Sequence, residues 1–423
     1  MASIEAAQIT KFDIYSNEGG TISLLGKGAL PLVEYRECIL DNTVRIHALY
    51  MDGGQSGGDV GSVEYLKLQG DEKVSFSVTH DGKTLSFDKN LRIQSWNSQE
   101  NELQVAIELF IVSIDFFENI SAETKVYPFL SGKISDSVQK ILKESLKTDF
   151  EIEVDETINT KSFHGKSSEP FELCTNLCRY SIPTENGKKG ETAGYLFFHT
   201  SKGYRFKSVD CLFASKPVGK FIKNNSPYLP PGYDGKIHED NLSKAVDVEK
   251  QLRSGAYGSV LKKWNPLTMK YDTKTTKTYE GNPSGVTLAG KSYPVFPDYS
   301  GKITKINVAN VDIAQSFSPG DSVKSQFKSI QKENIVVDDV VNQSVRLNQM
   351  TLKEITVTTD ADLGISAGDV IFCDFRENSV KENTEVSKKN GGKYVVSGLC
   401  HLFIPSNTYT KMSLVRDSDG RVV

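Results

Sequence analysis

From Val345 to Asp417 the apolar residues fall in short runs, each bounded by Gly, Asp, Asn or Pro. Ile355 and Val357 alternate with Thr356 and Thr358, the period of a strand with one buried face. Ser366-Ala367-Gly368-Asp369 turns the chain into Val370-Ile371-Phe372, and two further strands are predicted from Tyr394 to Leu399 and from Tyr409 to Val415. Successive antiparallel strands of this kind leave open edges unless they close, so a small barrel is expected.

The first 115 residues carry the same signature. Val33–Leu40 precedes the alternating Val44–Tyr50, and Val74, Phe76 and Val78 alternate with Ser75, Ser77 and Thr79. Asp81-Gly82 is a hairpin signal. Leu103, Val105, Ile107, Leu109 and Ile111 share one parity, which predicts a long strand with one apolar face. A second antiparallel barrel is expected here. Gly70-Asp71 and Gly368-Asp369 each open an alternating strand, and strands further on end at Asp115 and Asp417, an echo that a duplicated barrel would leave.

Between the two lies a helical interlude. Ile134, Val138, Ile141 and Leu142 recur at helical spacing, with Ser131 and Ser135 as candidate N-caps. Pro170 sits in the first turn of a second helix striped by Phe171, Cys174, Leu177 and Cys178. Tyr195–His199 and Tyr204–Asp210 read as a hairpin. Lys216–Lys236 reads as a linker, Leu242, Ala245, Val248, Glu249 and Leu252 as a helix ending at Gly255, and Thr273–Asp321 as polar loop.

These stretches resemble one family. VEYRECILDNTVRIHALYMD, SGKISDSVQKIL, SEPFELCTNLCRYSIP, AGYLFFHTSKGYRFKSVDCLF, SGAYGSVLKKWNPLTMKYD, and the closing KYVVSGLCH and YTKMSLVRD look like baseplate hub proteins of contractile-tailed phages. The likeness is to T-even-like myoviruses, especially those infecting marine bacteria. It touches about four fifths of the chain and is thinnest between Thr273 and Lys332. It implies an α+β, mainly β chain. A first tube-type barrel over 1–118, completed by strands near 195–235, would be followed by an inserted α/β domain over 119–215. A linker, helix and loop region over 216–333 would feed a second barrel over 334–423.

The resemblance also implies a homotrimer that adapts a three-fold central spike to a six-fold tail tube, around a channel for tape-measure protein and DNA. Tube and wedge proteins would be its other partners. Its place would be the virion tail, assembled in the host cytoplasm. A bacterial contractile injection hub is the alternative; a spike barrel fused at the C-terminus would favour it, and the sequence ends at Val423. A tail-associated hydrolase would need an acid/base pair in a cleft.

Composition is that of a soluble globular protein: 38% hydrophobic, 25% charged and a net charge of −4, with no long basic run to hold phosphates tightly. DNA could pass without specific binding. MASIEAAQITKF has no signal-peptide pattern, and no apolar run reaches the roughly 18–20 residues that span a bilayer. Six scattered cysteines read as buried thiols of a reducing compartment.

Several motifs offer chemistry and lack its context. Cys174, Cys178, Cys211, His164 and His199 could be drawn together around zinc, yet the tight pairs of structural zinc sites are missing. Gly285–Ser292 matches the phosphate-binding G-x-x-x-x-G-K-[ST], but no apolar strand precedes it and Pro294 and Pro297 follow it. Gly54-Gln55-Ser56-Gly57-Gly58 fits the esterase elbow without a helix directly after it. His47, His80, His164, His199, His238 and His401 are isolated from catalytic partners, Glu151 and Glu153 read as a solvated strand face, and Trp96 and Trp264 as core or interface. No catalytic, metal or cofactor residue is therefore assigned, and no enzyme activity is expected.

Overall fold

In the computed structural model the alternation of the first hundred residues is realised strand by strand. The structure describes residues 6–421 apart from 27, 55–60, 102–103, 185–193, 225, 227, 245–246, 256–257, 266–268, 278–286, 289–290, 293–304, 311–321, 323–324, 326–345, 376–385 and 388. The first barrel is built from β1 (Gln8–Tyr15), β2 (Thr21–Ser23), β3 (Gly28–Cys38), β4 (Arg45–Asp52), β5 (Lys73–His80), β6 (Lys83–Asn101) and β7 (Gln104–Ser113). A short helix, α1 (Ser62–Leu66), lies between β4 and β5. The β5–β6 hairpin turns on Asp81 and Gly82 at φ 47° and 74°, the left-handed pair that matches strand twist. Phe12, Tyr35, Phe76, Ile93 and Ile111 fill the interior.

The chain then leaves the barrel through α2 (Ile114–Ile120) into an α/β unit. It holds β8 (Phe129–Leu130), α3 (Ile134–Lys140), β9 (Ile152–Val154), β10 (Phe163–His164), α4 (Pro170–Cys178), β11 (Tyr195–Thr200), β12 (Gly203–Ser208) and α5 (Val209–Ala214). Pro170 is the first residue of α4, where its missing N–H costs nothing. Neither expected serine caps α3: its N-cap is Lys133, with no side-chain bond. The Ser135 N–H instead meets the Thr157 hydroxyl at 3.1 Å.

The second barrel gathers β13 (Gly219–Ile222), β14 (Gly235–Lys244), β19 (Lys353–Asp360), β20 (Val370–Asp374), β21 (Gly392–Ile404) and β22 (Asn407–Arg416). It closes completely, in the order β13-β14-β19-β22-β21-β20 and back to β13. Between β14 and β19 the chain makes α6 (Val248–Ser254), β15 (Gly258–Asn265), β16 (Lys270–Lys277), β17 (Lys291–Ser292) and β18 (Lys305–Asn310). A two-residue strand, β23 (Ser418–Asp419), pairs with β17.

The strands near 195–235 do not complete the first barrel. β11 and β12 pair with each other and with β9, and β13 pairs with β14 and β20. The physical reason is burial: Phe221 on β13 is sealed among Ile237, Ile355 and Cys373 of the second barrel. β1 takes the corresponding place in the first, beside β5. The expected linker thus contributes a barrel strand. Leu242, expected on a helix, lies in β14, and α6 begins only at Val248. Of the expected loop, β16 runs to Lys277 and β18 spans 305–310.

The two barrels are also not separate. β3 pairs with β21 from Cys38–Gly398 to Val33–Phe403, joining both in one thirteen-stranded sheet. β21 carries Phe403 into the first core, where it meets Phe76 at 6.2 Å.

Candidate functional site: a duplicated barrel and its junction

The residues with chemical promise are scattered. Cys174 and Cys178 are buried in α4, where burial pushes both thiols well above their usual range, and the Cys178 thiol points to the Cys174 carbonyl at 3.4 Å. His199 is sealed against Tyr204 at 4.2 Å, and burial drives its ring down to about 3. His164 is exposed on β10, and Cys211 sits on α5. Among the described residues no three His, Cys, Asp or Glu side chains are placed to hold a metal.

Residues 285, 286, 289 and 290 of the phosphate-loop match lie outside the described residues, and Lys291-Ser292 is a strand rather than a helix start. Residues 55–58 of the elbow match also lie outside; beyond it, α1 begins at Ser62, whose N–H and hydroxyl both meet Asp52 at 2.6 Å. Glu153 faces Lys207 at 2.6 Å, so this acid is part of an ion pair. His47 stacks on Phe110 at 4.8 Å, and His238 faces Asp360. Trp96 packs on the first core and Trp264 on Tyr271.

What the structure does bring together is a pair of matching barrels. The first runs β3-β4-β7-β6-β5, and the second runs β14-β19-β22-β21-β20. Leaving aside the three-residue β2, each run in chain order is second, third, sixth, fifth, fourth. Both long hairpins slip register at one place: between Ile93 and Ser95 opposite Ile111 and Phe110, and between Val396 and Gly398 opposite Leu414 and Ser413.

The turn before the fourth strand matches atom for atom. Asp71 N–H donates to Ile93 O at 2.9 Å, and Ile93 N–H to Glu72 O at 3.1 Å; Gly368 N–H donates to Val396 O at 2.8 Å, and Val396 N–H to Asp369 O at 2.9 Å. Asp71 and Gly368 are both left-handed, at φ 64° and 86°. The acids after them close the same ring, Glu72 accepting from Gln69 N–H at 2.7 Å and Asp369 from Ser366 N–H at 3.0 Å. Bulges and left-handed turns at matching places are costly to invent twice. The Gly-Asp echo therefore marked the right turns one residue out of register: Gly368 answers to Asp71, and Asp369 to Glu72.

At the junction sits Glu37, 3% exposed. Its carboxylate accepts from Tyr35 OH at 2.7 Å, from Ser201 N–H of the α/β unit at 2.6 Å and from Ala367 N–H of the second barrel at 2.7 Å. Burial raises its pKa, and the Tyr35 hydroxyl and the two backbone donors hold it back. One acid thus ties three units. The sequence did carry a signal for it: Glu37 shares the inward parity of Val33, Tyr35 and Ile39, where an acid needs donors. Asp369, in the turn Glu37 braces, pairs with Arg205 at 3.1 Å and Lys202 at 3.3 Å.

The match also exposes an asymmetry. The outer half of β21 is covered by β3. Its counterpart, Ser95–Asn101 of β6, pairs only with β7, and among the described residues no strand lies along its other edge. Likewise the stretch of β3 that reaches β21 answers to Asp240–Lys244 of β14, which among the described residues pairs only with β19. Each chain thus uses one half of a joint and presents the other half at both ends.

No protein-family model matches the chain, and no curated protein matches its sequence. Solved structures do. A tail protein from Neisseria meningitidis MC58 superposes with TM-score 0.53 at 10% identity, covering 96% of each chain. The 43 kDa tail protein of prophage MuSo2 from Shewanella oneidensis gives TM-score 0.52 at 7% identity, over 96% of this chain and 98% of that one. The chain shares their fold along almost its whole length.

Proposed function

We propose that this chain is a structural component of a contractile phage tail, the baseplate hub, and that it works as a ring of three. The T-even-like hub is the pattern this reading takes. One observation carries it. Among the described residues the within-chain joint between β3 and β21 has an unfilled counterpart, β6 from Ser95 to Asn101 on one side and β14 from Asp240 to Lys244 on the other. If β14 of one chain pairs with β6 of the next, three chains close into six barrels with near-equivalent contacts. These two open edges then disappear. Such a ring meets a six-fold tail tube on one face and a three-fold spike on the other, leaving an axial passage for tape-measure protein and DNA. Wedge proteins would surround it, and assembly would take place in the host cytoplasm. The reading needs no catalytic group.

The register is testable. Asn97 answers to Cys400 and Lys244 to Arg36, which face each other across the existing joint. The double variant Asn97→Cys, Lys244→Cys should give chains linked in twos and threes on a non-reducing gel, lost on reduction. Light scattering of the unmodified chain with its spike protein should report three copies of 46.8 kDa. A stable monomer under those conditions sinks the ring.

A further inference from the structure

The second barrel buries charge where the first does not. Lys353 opens β19 and lies directly across from Arg416 at the end of β22. Val44 and Ser113 fill the matching places in the first barrel. Lys353 is 3% exposed and Arg416 0%. Both reach the turn before β21. Lys353 Nζ donates to Asn390 Oδ1 at 2.6 Å, and Arg416 donates to Gly391 O at 3.1 Å and to Lys389 O. Tyr394 OH donates to Asn390 O at 2.5 Å. The turn is thus clamped on three carbonyls, with one amine held against one carboxamide. Two buried cations side by side are costly, and Val44 and Ser113 show that a barrel of this plan closes without them.

We propose that Lys353 and Asn390 join in an isopeptide bond, formed by the chain on itself. The lysine nitrogen attacks Asn390 Cγ. The Nζ–Cγ bond forms, the Cγ–Nδ2 bond breaks, and Nδ2 leaves as ammonia with a proton from the attacking nitrogen. The proton that the lysine ammonium sheds beforehand ends on that ammonia, so the step needs no oxidant and no second substrate. Proximity favours it, because Cγ lies one bond beyond an oxygen that is already 2.6 Å from the amine. Asp374 is wholly buried, accepts from Tyr233 OH at 2.5 Å and packs on this turn, its Oδ1 2.9 Å from where a Cβ on Gly391 would stand. Its carboxylate is placed to relay the proton. The competing nucleophile is the Gly391 nitrogen, which could close an imide on the same carbon. Its N–H is engaged with Ser387 O at 2.8 Å, so the lysine is favoured. The bond would tie β19 to the start of β21 across β22, which lies between them. The second barrel would then carry a covalent bolt that the first lacks.

The test is the mass of the full chain, fresh and after storage, together with a peptide map. The stored wild type should be lighter than its sequence by one ammonia, and a branched peptide should carry residues 353 and 390 together. Lys353→Arg keeps the charge without the reactive amine, and Asn390→Ala removes the carboxamide; both should keep their full mass. A stored wild type at full mass overturns the proposal, as does deamidation of Asn390 in its place. Ammonia loss that persists in Lys353→Arg is the Gly391 imide and overturns it equally. If either variant fails to fold, the branched peptide of the wild type decides alone.

Discussion

At the same point of the two barrels one turn uses an aspartate and the other a glycine. Asp71 takes φ 64° with its side chain exposed to solvent. Gly368 takes φ 86°, and a Cβ there would lie 2.7 Å from the buried ring of Phe198. The backbone plan is shared, and what differs is the surroundings. In the second barrel the α/β unit is packed onto the turn, through Phe198 and Leu212, and has taken all the space. A duplicated turn can thus keep its hydrogen bonds and lose its tolerance once another element is built against it.

The largest effect should come from breaking that difference. Gly368→Val combines left-handed strain with overpacking, and about 3–4 kcal/mol of stability should be lost. A denaturant midpoint close to wild type would show that Phe198 yields more easily than close packing allows. Glu37→Ala comes next. It strands the N–H groups of Ser201 and Ala367, and about 3 kcal/mol should go, with the α/β unit loosening first in hydrogen exchange. Uniform protection loss across all three units would argue against Glu37 as the tie.

A third contrast lies where the first and second barrels end. In hairpin register Asp115 answers to Ser418, so the two closing aspartates are offset by one residue. Asp417 meets Arg346, fully buried at the same point, whereas Asp115 accepts from the hydroxyls of Thr148 and Tyr204. Burial raises Asp115 to about 6, with Asp149 and Glu118 adding to it. An acid raised on folding stabilises below its unfolded value and loses that contribution as pH climbs through the folded one. Stability should therefore fall by on the order of 2 kcal/mol between pH 4 and pH 7.5 from this group. Asp115→Asn should flatten that part of the melting curve against pH; an unchanged slope would rule the group out.

Smallest of all should be Asp71→Gly, within about 0.5 kcal/mol of wild type, because the left-handed φ already suits either residue. A loss above that would mean the Asp71 side chain has a task of its own.

Much of this was legible because strands announce themselves. Period two in Val74–Val78 and Ile355–Val357, and the Asp81-Gly82 turn, place elements to within a residue or two. Pairing over distance was not legible. Gly219–Ile222 is four residues in a Pro- and Gly-rich stretch, and nothing local says that Phe221 belongs beside Cys373. The same holds for β3 and β21: each alternates properly, and either edge could face water. Glu37 lay between these cases. Its inward parity was visible, but its donors at 201 and 367 come from parts of the chain that only the fold brings near.

The joint between β3 and β21 has a cost in time. Cys38 leaves the ribosome about 360 residues before Gly398, which at typical synthesis rates is roughly 20 to 70 s. Throughout that interval the first barrel can form its core from β1 to β7, but Phe403 is absent from it and one side of β3 has nothing to bind. A neighbouring nascent chain, carrying the same unfilled strand, is then a competitor for whichever β21 appears first. Polysomes making this protein are therefore a natural place for strand exchange between copies. Slowing translation after the α/β unit should raise the yield of intertwined chains rather than lower it.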